Sequence, residues 1–171
     1  MHWLDSATYP QYRERIKSGD LLAWSGRGFV GGLVRVATAS SWSHVGIAHV
    51  MGGRVWIIEA REFAGVQIVP LSSYLDCAWL PTGAKWTESV DNYAIGKIGK
   101  VGYSYPLAVE TWGLAAMGKR KPLNPDASTQ ICSTFAPIIL RMAGVPLPDS
   151  VMTPAQCVDC VIKLNGGRAS P

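Results

Sequence analysis

His44-Val45-Gly46-Ile47-Ala48-His49-Val50-Met51-Gly52-Gly53-Arg54-Val55-Trp56-Ile57-Ile58-Glu59-Ala60 is the stretch whose reading decides the fold. Two apolar, β-branched runs, 44–51 and 54–60, flank a pair of glycines. Adjacent glycines between such runs signal a hairpin, because a tight turn needs positive φ at its central residues. A turn centred on Gly52-Gly53 pairs residues whose numbers sum to about 105. Glu59 then falls opposite residue 46, and His44 opposite residue 61. His44 and Glu59 become diagonal neighbours on one face, within reach of each other's side chains. His49, five residues along the strand, points to the other face and reads as a half-buried structural histidine.

The elements on either side extend this frame. Residues 66–69 form a third short strand that stops at Pro70. Gly19-Asp20 turns the chain into Leu21–Trp24, a buried strand. Residues 7–18 carry helical alternation and predict an N-terminal helix. Gly26, Gly28, Gly31 and Gly32 invite comparison with a phosphate loop, but no Gly-Lys-Ser/Thr follows. They read instead as a flexible entry to a helix at about 29–39. A helix is predicted over 87–97 with Thr87 as its cap. Residues 106–118 predict a weakly amphipathic helix and 119–127 a loop. The whole segment 106–128 is either a lid or a plain insertion. Cys132 opens a helix that runs to about Met142, stopped by Gly144 and Pro146. Pro137 fits that helix only if it starts near Cys132. Thr153 and Gln156 form a capping box around Pro154 and open a last helix.

Bulk properties set the class. The chain has 171 residues, 48% of them hydrophobic and 16% charged, which predicts one domain (1–171) with a real core. The formal net charge is +4. The basic residues are scattered apart from Lys119-Arg120-Lys121, so nucleic acid is not an expected partner. No apolar run approaches the ~18 residues of a membrane span, so no stable membrane insertion is expected. The N-terminus lacks the basic and apolar regions of an export signal. The expectation is a cytoplasmic chain, or one released without a signal peptide, as on a phage particle. Structural disulfides are then not expected among the four cysteines. Cys157, Cys160, Val161 and Leu164 fall on one apolar helical face, so the Cys-x-x-Cys reads as core packing rather than a redox or zinc site. No metal and no cofactor are implied.

Cys132 carries the chemistry. A thiolate at a helix N-terminus is stabilised by unpaired N–H groups and the positive end of the dipole. His44, if it reaches that thiol, completes a nucleophile–base pair. Glu59 could orient the imidazole, with Glu62 and Asp76 as fallback candidates. A phenol O–H from Tyr103 or Tyr105 could donate to a developing oxyanion.

These residues also carry a family resemblance. Gly19-Asp20, Ser43-His44-Val45-Gly46-Ile47, Ile58-Glu59-Ala60, the run Gly65–Leu71, Gly102-Tyr103 and Cys132-Ser133-Thr134-Phe135 follow one another in order. In that order the chain resembles the circularly permuted NlpC-type papain-like cysteine amidases and peptidases (YiiX/YebB-like), which are distantly similar to the lecithin–retinol acyltransferases. The resemblance covers roughly residues 18–164. It implies an α+β, permuted papain-like fold, with an antiparallel sheet or partial barrel packed on the nucleophile's helix. It implies Cys132 as nucleophile, His44 as base, Glu59 as the polar third residue and Tyr103 at the oxyanion site, with Tyr105 able to take that place. Ser104 and Thr134 stand where the family more often has acidic residues. The implied reaction cleaves an amide through a thioester, on a peptidoglycan-type peptide of a cell-wall polymer or on an N-acyl amide. Two alternatives stay open. One is a thiol acyltransferase or lipid hydrolase, which a hydrophobic entrance around Trp24, Trp42 and Trp112 would favour. The other is an inactive ligand-binding or phage structural module.

Overall fold

The chain is described by a computed structural model over residues 1–25, 42–119 and 121–166, without the side chains of Trp112 and Ala116. The glycine-rich entry and the helix expected at 29–39 lie outside the described residues. The strands are β1 (His2–Leu4), β2 (Leu21–Ser25), β3 (Trp42–Met51), β4 (Arg54–Arg61), β5 (Gly65–Pro70) and β6 (Cys77–Leu80). They form one antiparallel sheet in the order β1-β6-β2-β3-β4-β5. Of the two forms expected, the described residues take the open sheet. In the β3–β4 hairpin Met51 faces Arg54 and Ile47 faces Ile58, the register predicted from the Gly52-Gly53 turn.

Alternation divides the sheet into two apolar faces. Leu21, Ala23, Val45, Ile47, Ile58 and Ala60 point to one side and pack under two helices, Cys132–Met142 and Pro154–Gly166. Leu22, Trp24, Ala48 and Ile57 point to the other side and pack with Leu4, Ile16 and Leu71. In chain order the helices are α1 (Tyr9–Tyr12), α2 (Glu88–Gly96), α3 (Tyr105–Ala116), α4 (Cys132–Met142) and α5 (Pro154–Gly166). Two predicted caps are present: Thr87 accepts from Val90 N–H at 3.4 Å, and the Thr153–Gln156 box closes at 2.9 and 3.2 Å.

The N-terminal helix is much shorter than 7–18. Only Tyr9–Tyr12 is α-helical, followed by a 3-10 turn over Arg13–Arg15. Ile16 is already extended at ψ 132°, and it is buried in the second core. Burying that side chain against the sheet ends the helix before propensity would. α4 starts at Cys132, as the accommodation of Pro137 required, and Pro137 is its sixth residue. It has no N–H to offer the Ser133 carbonyl, and the Ser133 hydroxyl is itself buried without a hydrogen-bond partner.

Two glycines are required by close approach. A Cβ on Gly46 would stand 2.8 Å from Ile57 Cγ2 and 3.4 Å from the Glu59 Cβ. Gly46→Ala is therefore expected to cost about 1–3 kcal/mol from overpacking, read as a lower denaturant midpoint. Gly65, at φ 69°, lets β5 meet the segment before α3, since a Cβ there would run into the Val101 carbonyl oxygen. Val66 N–H donates to Val101 at 2.8 Å, and Gly99 N–H donates to Val66 at 2.9 Å. This contact sets the position of β7 (Gly102–Tyr103), which pairs in parallel with β8 (Thr129–Gln130). No helix among the described residues is long and apolar enough to cross a membrane.

Candidate active site

Cys132 is the first residue of α4. The preceding Ile131 is extended at φ −119°, ψ 163°, and its N–H donates to Thr134 Oγ1 at 3.1 Å. The Thr134 hydroxyl in turn donates to Gln130 Oε1 at 2.5 Å. Thr134 thus serves the helix start, at the position where an acidic residue is commoner. The first N–H groups of a helix have no intrahelical partner, so the backbone at Cys132 is a donor available to an anion.

His44 comes to this point from the sheet. Between β2 and β3 the register slips: Trp24 faces His44, but Ser25 faces Trp42. Ser43 is the extra residue, and its hydroxyl donates to the Trp24 carbonyl at 3.3 Å. Bulges of this kind re-aim the neighbouring side chain. The His44 ring rests against the Trp24 ring, with centroids 5.5 Å apart. Its Nε2 meets Glu59 Oε2 at 2.5 Å, as the diagonal pairing predicted. Cys132 acts on the same ring and favours its charged form, and Nδ1 is the nitrogen that Glu59 leaves open. Burial alone would disfavour the imidazolium. The charge and hydrogen bond of Cys132, then the hydrogen bond and charge of Glu59, outweigh it and push His44 up to about 10.

Glu59 is 3% exposed and fully engaged. Its second oxygen accepts from Gln67 Nε2 at 2.7 Å and lies 3.6 Å from Arg61 Nη1. The Arg61 guanidinium sits 4.7 Å from the centre of the Tyr74 ring. Burial acts to raise the Glu59 carboxyl, but the His44 hydrogen bond and charge, the Gln67 hydrogen bond and the Arg61 charge bring it below its ordinary value. Gln67 and Arg61 were not singled out in the sequence. The readable signal was register, because Gln67 faces Glu59 directly across β4–β5. Neither fallback carboxylate takes the place of Glu59 beside His44.

Tyr103 is opposite Gln130, two residues before the cysteine. Burial first, then negative charge at Cys132 and Glu62, holds its phenol protonated and raised well above the ordinary value. Its ring packs edge-on against Tyr105, with centroids 5.2 Å apart. Ser104 accepts from Leu107 N–H at 3.2 Å and caps α3, which places Tyr105 in the helix and leaves it 38% exposed. Of the two tyrosines, Tyr103 is the one in the β7–β8 pair, and the charge of Cys132 acts on its phenol.

Other candidates fall away from this group. His49 is buried against Trp86, with Nδ1 3.6 Å from Asp91, and burial lowers its pKa. Cys157 is buried on the core face of α5, where burial pushes its thiol up. Trp24 is buried and donates to the Tyr74 carbonyl at 2.9 Å, so it does not line an entrance. Trp42 packs against the helix-side core. In the segment 106–128, the Pro125 carbonyl accepts from Tyr93 at 2.8 Å and from Lys97 at 3.0 Å.

No protein-family model matches the chain, and no curated protein matches its sequence. Among solved structures it is similar to metalloprotein YiiX from Escherichia coli O157:H7, at a TM-score of 0.51 and 17% identity. The match covers 84% of this chain and 92% of that one. At this identity the likeness is one of fold, and it agrees with the α+β arrangement of helices on an antiparallel sheet. The description as a metalloprotein belongs to that protein. Among the described residues no group of three or more His, Cys, Asp or Glu could hold a metal ion. Near Cys132 the Glu59 oxygens are occupied by His44, Gln67 and Arg61.

Proposed function

We propose that this chain is a cysteine hydrolase of permuted papain-like type, cleaving an amide bond of a peptidic or N-acyl substrate through a thioester. The observation that carries the reading is His44 bonded to Glu59, at 2.5 Å, while Cys132 at the head of α4 acts electrostatically on the same ring. A structural histidine needs one such partner; a base between a carboxylate and a thiol has both.

In this reading the Cys132 thiol gives its proton to His44, and Sγ attacks the carbonyl carbon, forming the C–S bond while the C=O electron pair moves onto oxygen. The Cys132 N–H and the Tyr103 O–H donate to that oxyanion. The raised pKa of Tyr103 suits it to donation, since the phenol keeps its proton. Collapse breaks the C–N bond, and the imidazolium of His44 gives its proton to the leaving amine. A water then loses a proton to His44 and attacks the thioester, releasing the acid and restoring the thiol. Glu59 holds the imidazole by Nε2 and presents Nδ1 to sulfur. Gln67 and Arg61 are positioning residues for that carboxylate. The NlpC-type resemblance makes a wall stem peptide the leading natural substrate, tested by turbidity loss on purified sacculi.

The reading is tested first by labelling. Iodoacetamide at neutral pH is expected to modify Cys132 at least tenfold faster than Cys157 in the native chain, by peptide mass analysis. Cys157 is withdrawn by burial and by its raised thiol pKa. Equal, slow modification of both would remove the nucleophile and with it the hydrolase.

A further inference from the structure

The turn between β4 and β5 contains a residue that the fold does not explain. Phe63 has φ 63° and is 92% exposed. A bulky side chain in the left-handed region is strained, and glycine, asparagine or aspartate would be ordinary there. Nor is the strain offset by burial, since the ring is in solvent. Such an outlier points to use rather than to packing.

The ring stands at the mouth of a cleft of about 310 Å³. Its centroid is 5.9 Å from that of Tyr105, which is 5.2 Å from that of Tyr103. Three rings therefore form a file leading from solvent to Tyr103, which pairs across β7–β8 with Gln130, two residues before Cys132. The floor is short on side chains, with Gly65, Gly99 and Gly102 lining it beside Val101. That combination of mutually inclined rings and a backbone floor accepts another ring in offset or edge-on contact. Charge is balanced nearby: Lys100 lines the cleft and Glu62 faces Tyr103, so the lining favours neither an anion nor a cation.

We propose that this cleft is a substrate subsite for a neutral aromatic side chain flanking the scissile amide, with Phe63 as its outer, specificity-determining wall. The proposal rests on the hydrolase reading for its place in the reaction, but its binding test does not need the nucleophile.

Binding is measured on Cys132→Ala by ligand-observed NMR with N-acetyl-phenylalaninamide, N-acetyl-alaninamide and octanamide. The phenyl ligand is expected to bind at least fivefold more tightly than the other two. Phe63→Gly is expected to abolish that preference and to raise the melting temperature, because glycine relieves the left-handed strain. Alkylation is then compared in the chain with Cys132 intact. A chloroacetamide bearing a phenethyl group should label Cys132 at least tenfold faster than chloroacetamide itself, and the advantage should vanish in Phe63→Gly. Labelling by the parent chloroacetamide, measured in each chain, is the reference for that ratio. If the parent reagent fails to label Cys132, the hydrolase reading fails while the binding result still decides the subsite. Equal or absent binding of the phenyl and alanine ligands, tighter binding of octanamide, or a preference unaffected by Phe63→Gly would each overturn the proposal.

Discussion

His44→Ala is expected to reduce amide hydrolysis by ~10²–10⁴-fold, the range that a positioned general acid–base contributes. The same variant should slow iodoacetamide labelling of Cys132 at pH 7 by at least tenfold. Both effects have one cause. His44 supplies the cation beside sulfur and the proton carrier for each half of the reaction, and no other histidine is placed to substitute. His49 lies on the opposite face against Trp86, and His2 is at β1 beside Tyr12 and Trp79. The ring is only partly enclosed, with 17% of its side chain exposed, so its loss should leave the fold standing. Unchanged circular dichroism with lost labelling is the expected pair of results. Undiminished labelling in a folded variant would mean that Cys132 is reactive without a base, and the proposed mechanism would fail.

Glu59→Gln should act differently, through pH. Glu59 raises the pKa of His44 both by its hydrogen bond and by its charge. His44 stands near 10, so the imidazolium persists through the neutral range and is lost only as pH rises toward about 10. Without the carboxylate that upper limit should move down, and the alkaline limb of a rate–pH profile with it. The direction follows from the sign: an anion favours the charged imidazole, and removing it favours the neutral one. The rate at the optimum should fall between about 10-fold and ~10⁴-fold, the upper figure being the cost when a triad base is left in the wrong tautomer. Glutamine keeps the volume, whereas alanine would strand Gln67 and Arg61 beside a hole. A profile whose alkaline limb stays in place would show that Glu59 does not govern His44.

Much of this site was legible because it rests on periodicity. The glycine pair specified the hairpin register, and register specifies which side chains meet across strands. The start of α4 at Cys132 was legible from the need to accommodate Pro137, and its end from the glycine and proline that follow. Gln67 and Arg61 were not legible for the opposite reason. A glutamine in a short strand has the appearance of a solvent-facing residue until its cross-strand partner is known to be a buried carboxylate. The bulge at Ser43 left no trace in composition either, yet it aims His44. The short strands β1, β6, β7 and β8 went unread because a few residues provide too little alternation to detect. Ser104 separates Tyr103 from Tyr105 in the fold. Read as a departure from the family pattern, it is in fact the cap that sends Tyr105 into a helix and leaves Tyr103 on the strand side.

The hydrogen bonds that seat β7 have a second consequence, for behaviour at high concentration. A sheet of this order has two free edges, and a free edge invites pairing with another chain. At one end β1 is only three residues long. At the other, β5 alternates its outward-facing backbone groups through Val66, Ile68 and Pro70. Val66 is already bonded to Gly99 and Val101, and Pro70 has no N–H, which leaves Ile68 between them. The edge is thereby blunted by the same contact that brings Tyr103 to the cysteine. A substitution that crowds Gly65 would push that segment away and uncover a strand, so a chain damaged there should clump before it unfolds.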